Sequence, residues 1–431
     1  MSRAMKDSGI PWIGAIPETW NVNMLSSLFD EHKQKNKDLS ETNLLSLSYG
    51  KIIRKDINTK EGLLPESFDG YNIISDGDIV FRLTDLQNDK RSLRTGLCLE
   101  KGIITSAYVT IRARQKLYSP YYHYLVHSYD VCKVFYGMGD GVRQGMNYSD
   151  LRKLLLVSPS YSEQQKIAEF LDRKCAEVDE MIALQEQIIE ELKAYKQSVI
   201  TEAVTKGLNP ATPMRDSGIE WIGQIPEHWG VCRVKNLSKM ISKGATPPTI
   251  DEESYEGNVR FIKCENISNN ELVNNSLYYI STEINESMKR SQLEENDVLF
   301  VIAGATIGKT AIVGKDFLPS NTNQAVSFIR LKDAQKAKFL WYVLQSNVVQ
   351  VPLWVNAVQS AQPNLSMENL GNFNTPSPID SEQQAIADYL DEKCADIDSL
   401  IQTKQSKIDS LKEYKKSIIY EYVTGKREVE L

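Results

Sequence analysis

Residues 5–20 read MKDSGIPWIGAIPETW, and residues 214–229 read MRDSGIEWIGQIPEHW. A second pair follows: SEQQKIAEFLDRKCAEVDEMI at 162–182 returns as SEQQAIADYLDEKCADIDSLI at 381–401, and YKQSVITEAVT at 195–205 returns as YKKSIIYEYVT at 414–424. The shift is 209 positions for the openings (214 against 5) and 219 for the later stretches (381 against 162). Residues 21–161 and 230–380, between the matched stretches, have little visible likeness. A repeat this long is no solenoid turn, so each copy holds a domain of its own plus a shared kind of connector. Two copies of one enzyme would be most alike around a site. Here the likeness is greatest in the connectors.

Residues 162–206 contain no Gly or Pro until Gly207 and carry apolar residues at helical spacing, which predicts one long helix. At 1.5 Å per residue it spans about 65–70 Å, more than the width of a small domain. Its heptad reads as the rows Ile167, Lys174, Met181, Ile188, Tyr195 and Leu171, Val178, Gln185, Leu192, Val199. The second copy reads Ile386, Lys393, Leu400, Lys407, Tyr414 beside Leu390, Ile397, Lys404, Leu411, Ile418. Ser160 before Glu163, and Asp380 before Gln383, stand at capping-box spacing just after Pro159 and Pro378. Gly207 and Gly425 close the helices. Two like seams in one chain are expected to pair as an antiparallel coiled coil, with two dissimilar domains held apart by it.

The chain of 431 residues exceeds one ordinary core. With 41% hydrophobic and 25% charged residues and a mean hydropathy of -0.36 it reads as globular. No run of eighteen apolar residues and no signal-like N-terminus is found, which points to a cytoplasmic protein without a membrane segment. The cysteines 98, 132, 175, 232, 264 and 394 form no C-x-x-C pair and fit reduced thiols rather than a zinc knuckle. A net charge of -7 has the wrong sign for coating nucleic acid by bulk charge. Its distribution is uneven: residues 162–206 carry -4 and 381–431 carry -3, against +3 for 21–161 and -1 for 230–380. The acidity sits on the helices, so the inserted domains are free to meet a phosphate backbone.

With the paired W-I-G-x-I-P-x-x-W openings and the P-x-x-S-E-Q-Q-x-I-A-x-[FY]-L-D starts at 159 and 378, the chain resembles the specificity subunit of type I restriction-modification systems along essentially its whole length. The resemblance implies an α+β protein with two α/β target recognition domains and two long antiparallel helices. The expected layout is a first recognition domain at 1–158, a spacer helix at 159–207, a linker and repeated opening at 208–229, a second recognition domain at 230–377, and a second spacer helix with a tail at 378–431. Each domain would read one half of a bipartite sequence in double-stranded DNA. The helices would set the gap and dock methyltransferase subunits, two in number, which restriction subunits join. The resemblance implies no catalytic residue, cofactor or metal in this subunit. The competing classes are a stand-alone enzyme acting on nucleic acid or nucleotides and an adaptor whose inserts bind protein. No N-P-P-[YFW] methyltransferase motif is present; the near match is T-P-S-P at 375.

AGATIGKT at 303–310 is one residue short of a phosphate-binding loop, with Ala303 in place of the first Gly. The following AIVGKDF reads as a strand, so a hairpin tip is expected, with Lys309 reaching a DNA phosphate. In the first domain, Arg82, Lys90, Arg91 and Arg94 follow the apolar GDIVF strand, where Arg can fork onto guanine. Arg143, Gln144 and Asn147 follow the glycine-rich GMGDG run, and Gln359, Gln362 and Asn364 are the matching amides of the second domain, suited to adenine. Lys243, Thr246, Lys263 and Asn266 complete the candidate set. His123 and His127, four apart in YYHYLVHSY, lack a third metal ligand and are assigned to a packing helix. Trp12, Trp20, Trp221 and Trp229 are assigned as packing anchors of the connectors.

Overall fold

The computed structural model describes every residue except 1–2, 59–64, 66, 85, 87–92, 139–144, 248–256, 276–277, 358–363 and 430–431. The chain divides into two units, Met1–Glu186 with Ser406–Leu431, and Gln187–Gln405.

In the first unit the strands β1 (Phe29–Glu31), β2 (Ile79–Phe81), β3 (Thr95–Leu97) and β4 (Val109–Ala113) form an antiparallel sheet in the order β1-β4-β2-β3. Helix α1 (Ser119–Val131) has Pro in its first turn, where the missing N–H costs nothing. Its Tyr121, Tyr122, Leu125, Val126 and Tyr129 are buried in one core with Phe29, Phe81 and Ile111 of the sheet. The long helix α2 (Tyr161–Lys206) brings Ile167, Ala168, Leu171 and Cys175 to that core, and Ile418, Ile419 and Val423 enter it from the end of the chain.

The second unit repeats the plan. Strands β5 (Ser238–Lys243), β6 (Val298–Val301), β7 (Thr310–Ile312) and β8 (Val326–Leu331) lie antiparallel in the order β5-β8-β6-β7. Helix α3 (Ala337–Gln345) and the start of the long helix α4 (Asp380–Val423) supply Phe339, Leu340, Val343, Ile386, Leu390 and Cys394 to its core, which Ile200 and Val204 complete. The two sheets are the same sheet, although their sequences look unrelated.

The connectors explain what the repeated motifs do. Trp20 is fully buried and its indole N–H donates to Glu163 over 3.3 Å; Trp229, 1% exposed, donates to Glu382 over 2.9 Å. The side-chain amides of Gln164 and Gln383 donate to the carbonyls of Pro159 and Pro378, at 3.0 and 2.9 Å. The S-E-Q-Q motif is thus a latch: its Glu takes the Trp of the opening segment and its first Gln caps the chain before the helix. Gly207 and Gly425 both have positive φ, +74° and +72°, as a helix-ending glycine requires. A Cβ on Gly207 would lie 3.2 Å from the ring of Trp229, and one on Gly425 3.1 Å from that of Trp20 and still nearer Pro17.

Some expectations need correction. Ser160 and Glu163 form the expected reciprocal capping box, but α4 begins at Asp380 itself, so that residue is no cap. One row of the expected heptad holds only at its start, where Ile167 and Ile386 are buried. Leu171, Val178 and Gln185 are buried as expected, but their companions are Ala168, Cys175 and Ile189, while Met181 and Tyr195 are 50% and 59% exposed. In α4 the buried residues Ala387, Cys394 and Ile408 stand one place beyond the expected row, with Leu400 and Tyr414 left outside. Ala168 and Cys175 pack into the first core and Cys394 into the second, so small side chains carry the buried row. Lys415 pairs with Asp179 at 2.6 Å in the first unit, and Lys196 pairs with Asp398 at 2.6 Å in the second, so in each unit the two helix segments lie antiparallel side by side. Trp221 is 38% exposed and is no packing anchor, whereas its counterpart Trp12 stacks edge-on against Tyr129 at 5.6 Å. None of the six cysteines is paired.

Candidate nucleic-acid interface

In the second unit the segment between β6 and β7 is a hairpin tip, as its sequence predicts. Gly304 and Gly308 adopt φ of +88° and +90°, and a Cβ on Gly308 would come within 2.8 Å of both Gln350 and Leu353. Buried Ile307 plugs the tip onto the core, leaving Gly304 and Ala305 exposed. A strand rather than a helix follows, so the phosphate-loop reading has no structural support. A second loop is tied beside this tip: Leu365 N–H donates to the Ile302 carbonyl over 2.8 Å, and Ala303 bridges to the exposed Asn364.

The first unit has the same tie, since Met146 N–H donates to the Leu83 carbonyl over 2.9 Å. Both members of the bond sit 219 positions before their counterparts (83 against 302, 146 against 365). Each unit therefore ties a second segment beside the one that follows its central strand, 145–147 beside 82–84 and 364–366 beside 302–309.

In each unit a buried aspartate just before the second strand of the sheet is held by an arginine. Asp78, at the start of β2, is held by Arg112 of β4 through Nε and Nη2, both at 2.7 Å; Asp297, before β6, is held by Arg330 of β8 at 2.8 and 2.7 Å. The second oxygen of each carboxylate also accepts a backbone N–H three residues earlier, from Ser75 at 2.8 Å and Glu294 at 2.7 Å. Burial pushes the Asp297 carboxyl above its usual range even with Arg330 beside it, while hydrogen bonds to the aspartates push Arg112 and Arg330 up. These pairs were missed in the sequence reading. The signal was faint but present: D-I-V-F at 78–81 and D-V-L-F at 297–300, 219 apart.

The candidate side chains differ in what they are free to do. Arg94 and Asn266 are fully buried and cannot face a ligand: Arg94 donates from Nη1 to the Thr84 carbonyl at 2.6 Å, and Asn266 accepts from Lys263 N–H at 2.9 Å and donates to the Asn275 carbonyl at 2.7 Å. Asn147 is exposed but serves as a helix cap, accepting from Ser149 N–H at 2.7 Å, the role Ser366 plays in the second unit. Lys263 lies with its ammonium 3.1 Å from the Tyr278 ring centre, and half-buried Lys309 donates to the Ile267 carbonyl at 3.4 Å. Arg82 is half-buried, while Lys243, Thr246 and Asn364 are exposed, Thr246 donating to Gln324 at 2.7 Å. Lys90, Arg91, Arg143, Gln144, Gln359 and Gln362 lie outside the described residues.

His123 and His127 do lie on a packing helix, and they line a cleft of about 1070 Å³ with Leu93, Leu97, Cys175 and Ile419. Among the described residues no group of three or more His, Cys, Asp or Glu is placed to hold a metal. Burial pushes their pKa down to about 3 and about 4. Below pH 6.5 the unfolded chain then binds more protons than the folded one, so stability falls as the pH drops towards 4. Acidifying from pH 7 to 5 is expected to cost the first unit about 3 kcal/mol through this pair. Urea midpoints at the two pH values measure it, and His127→Gln, matching Gln345 of the second unit, should remove about half. An equal acid response in that variant would refute the assignment.

Residues 226–424 match the family model described as the type I restriction modification DNA specificity domain. The chain carries a type I DNA specificity domain. It is also 32% identical over 260 residues to the type I restriction enzyme EcoBI specificity subunit of Escherichia coli, a match covering 58% of this chain and 53%, about half, of that relative's length. The MjaX specificity subunit of Methanocaldococcus jannaschii, a putative type I protein in its own description, is 25% identical over 96% of this chain and 95% of its own. The fold is that of the HsdS subunit from Thermoanaerobacter tengcongensis, at 16% identity and a TM-score of 0.51 over 96% of this chain and 98% of that one. A chain in the structure described as "structural basis underlying complex assembly and conformational transition of the type I R-M system" is similar at a TM-score of 0.71, again with 16% identity, over 96% and 99%. The specificity-subunit likeness read from the two openings and the two S-E-Q-Q helices is borne out. No helix among the described residues is long and apolar enough to cross a membrane.

Proposed function

We infer that the chain is the non-catalytic DNA-reading subunit of a type I restriction-modification complex. Residues 1–158 and 230–377 each read one half of an asymmetric bipartite target in double-stranded DNA. The helices within 159–207 and 378–431 hold the halves at a set spacing and dock two methyltransferase subunits, which restriction subunits join. One observation carries this reading: the same four-stranded sheet and the same tie beside its central strand occur twice, in inserts whose sequences are unlike. That is the form expected of two readers for two different half-sites.

The base- and phosphate-facing residues belong to the loops, with Arg82, Lys90, Arg91, Arg143 and Gln144 in the first and Lys243, Thr246, Lys309, Gln359, Gln362 and Asn364 in or beside the second. Antiparallel helix segments joined by Lys415 to Asp179 and by Lys196 to Asp398 support the spacer role. Exposed Met181, Leu184, Tyr195, Leu400 and Tyr414 support docking along the helices.

Methylome sequencing of a host with and without the chain tests the reading: one bipartite methylated motif should vanish with it. Exchanging residues 21–158 for another such domain should change one half of the motif and leave the other. Adding one turn to both helices, about 5.4 Å, should lengthen the gap by one or two base pairs and leave both halves intact. A methylome indifferent to the chain would overturn the function.

A further inference from the structure

Each recognition domain is fastened to its long helix by the same small device. In the first unit the phenol of Tyr124, on α1, donates to Asp172 of α2 over 2.7 Å; in the second, Tyr342 of α3 donates to Asp391 of α4 over 2.9 Å. A buried cysteine stands one turn further along each helix, Cys175 and Cys394. The tyrosines come from the unlike inserts, which have almost nothing else in common at this place: YYHYLV at 121–126 faces FLWYVL at 339–344. Burial first, and the adjoining cysteine and carboxylate after it, push both phenols well above their ordinary pKa, so each remains a donor throughout the neutral range.

The position of the device suggests its use. Asp172 and Asp391 each lie eleven residues beyond the first residue of their helix, Tyr161 and Asp380. That is about 16 Å along the axis. The apolar contacts of Ile167, Ala168 and Leu171, and of Ile386, Ala387 and Leu390, sit nearer the helix start. Apolar packing is non-directional and tolerates a small tilt, whereas a hydrogen bond to a carboxylate weakens steeply with angle. A directional bond set beyond most of the apolar contact, one turn before Cys175 and Cys394, therefore fixes the angle between domain and helix.

We propose that the bonds from Tyr124 to Asp172 and from Tyr342 to Asp391 are positioning clasps that hold each recognition domain at a fixed angle on its helix, and so set how strictly the complex demands one spacing between the half-sites. This rests on the bipartite reading above. One added base pair moves a half-site by about 3.4 Å along the duplex and turns it by about 35°, which a rigid pair of readers cannot follow. A clasp can add to that discrimination no more than its own strength, and a hydrogen bond to a charged group is of the order that corresponds to about tenfold. The two clasps are unequal. Asp391 is also held by the Lys338 ammonium, whereas Tyr124 is the partner found for Asp172.

The test uses the complete chain assembled with its methyltransferase subunits. Methylation rates are compared on duplexes carrying the natural gap, one base pair more and one fewer. Tyr124→Phe should reduce the preference for the natural gap about tenfold, with the rate on the natural duplex nearly kept. Tyr342→Phe should reduce it less, because Lys338 still holds Asp391. Asp172→Ala breaks the first clasp from an exposed position and should behave as Tyr124→Phe does, which guards against a core defect in either variant. Lowered thermal stability with an unchanged spacing preference would overturn the clasp while leaving the bipartite reading intact. A wild-type complex indifferent to spacing would overturn that reading itself.

Discussion

Asp297→Ala is expected to destabilise the second unit by about 3–5 kcal/mol, because it strands a buried guanidinium. Arg330 is only 13% exposed, and it is gripped by both oxygens of Asp297, which is 1% exposed. With the carboxylate gone, Arg330 keeps Glu294, a 62% exposed side chain that holds it at 2.6 Å, and the carbonyl of Gln292 at 2.9 Å. Neither replaces a bidentate partner inside the sheet. The Glu294 N–H loses its acceptor as well, which loosens the turn that launches β6 and its loop. Much of this cost is the penalty of an unpaired buried charge rather than the worth of the pair. The double variant Asp297→Ala with Arg330→Leu should therefore recover a large part of it. The double-mutant cycle in urea is the measurement, followed by hydrogen exchange of the amides in 230–377 so that the second unit is read by itself. A single variant within about 0.5 kcal/mol of wild type would show that the loop frame does not depend on this pair.

Trp229→Ala should cost about as much, 3–5 kcal/mol, for a different reason. The substitution empties a site where the ring is 1% exposed, lies within van der Waals reach of Gly207, and closes the second opening segment onto the end of α2. It also removes the donor that binds Glu382, although that carboxylate keeps His228 at 3.1 Å. Eight residues earlier in the same motif, Trp221→Ala should change stability by less than about 1 kcal/mol, since its ring is exposed. The pair of variants separates an anchor from a bystander that the sequence pattern treats as equals. Similar urea midpoints for the two would refute the latch.

The long helices were legible because nothing interrupts them: a Gly- and Pro-free run with a capping box at Ser160 and glycines at 207 and 425 states its own limits. Which row of α2 and α4 faces inward was less legible. Large side chains such as Met181 and Tyr414 draw the eye, but the buried row carries the small Ala168 and Cys394, which pack into the core of their own unit. The hairpin at 302–309 was legible from its glycines and the strand after it. The shared frame of the two inserts was not. Its strands are three to six residues long, and its likeness rests on isolated residues such as Asp78 and Asp297, or Tyr124 and Tyr342, scattered through unlike neighbours.

Among the candidate contacts, Arg94 illustrates the limit. A basic residue in a polar stretch after a strand looks like a groove-reading side chain, yet it lies inside the domain with Thr84 as its acceptor and the Tyr136 ring 5.7 Å away. Asn266 and Asn147 fail in the same way, being polar groups that satisfy the backbone of their own loops.

Sequence alone established that the chain is a tandem duplication, that two uninterrupted helices close its halves, and that it resembles type I specificity subunits, since repeats and helix limits are local properties of the chain order. Tertiary structure alone decided that the unlike inserts share one sheet, which helix row is buried, and which charged side chains are spent inside the fold. Burial and pairing bring together residues far apart in the chain, and no local pattern records which of them will meet.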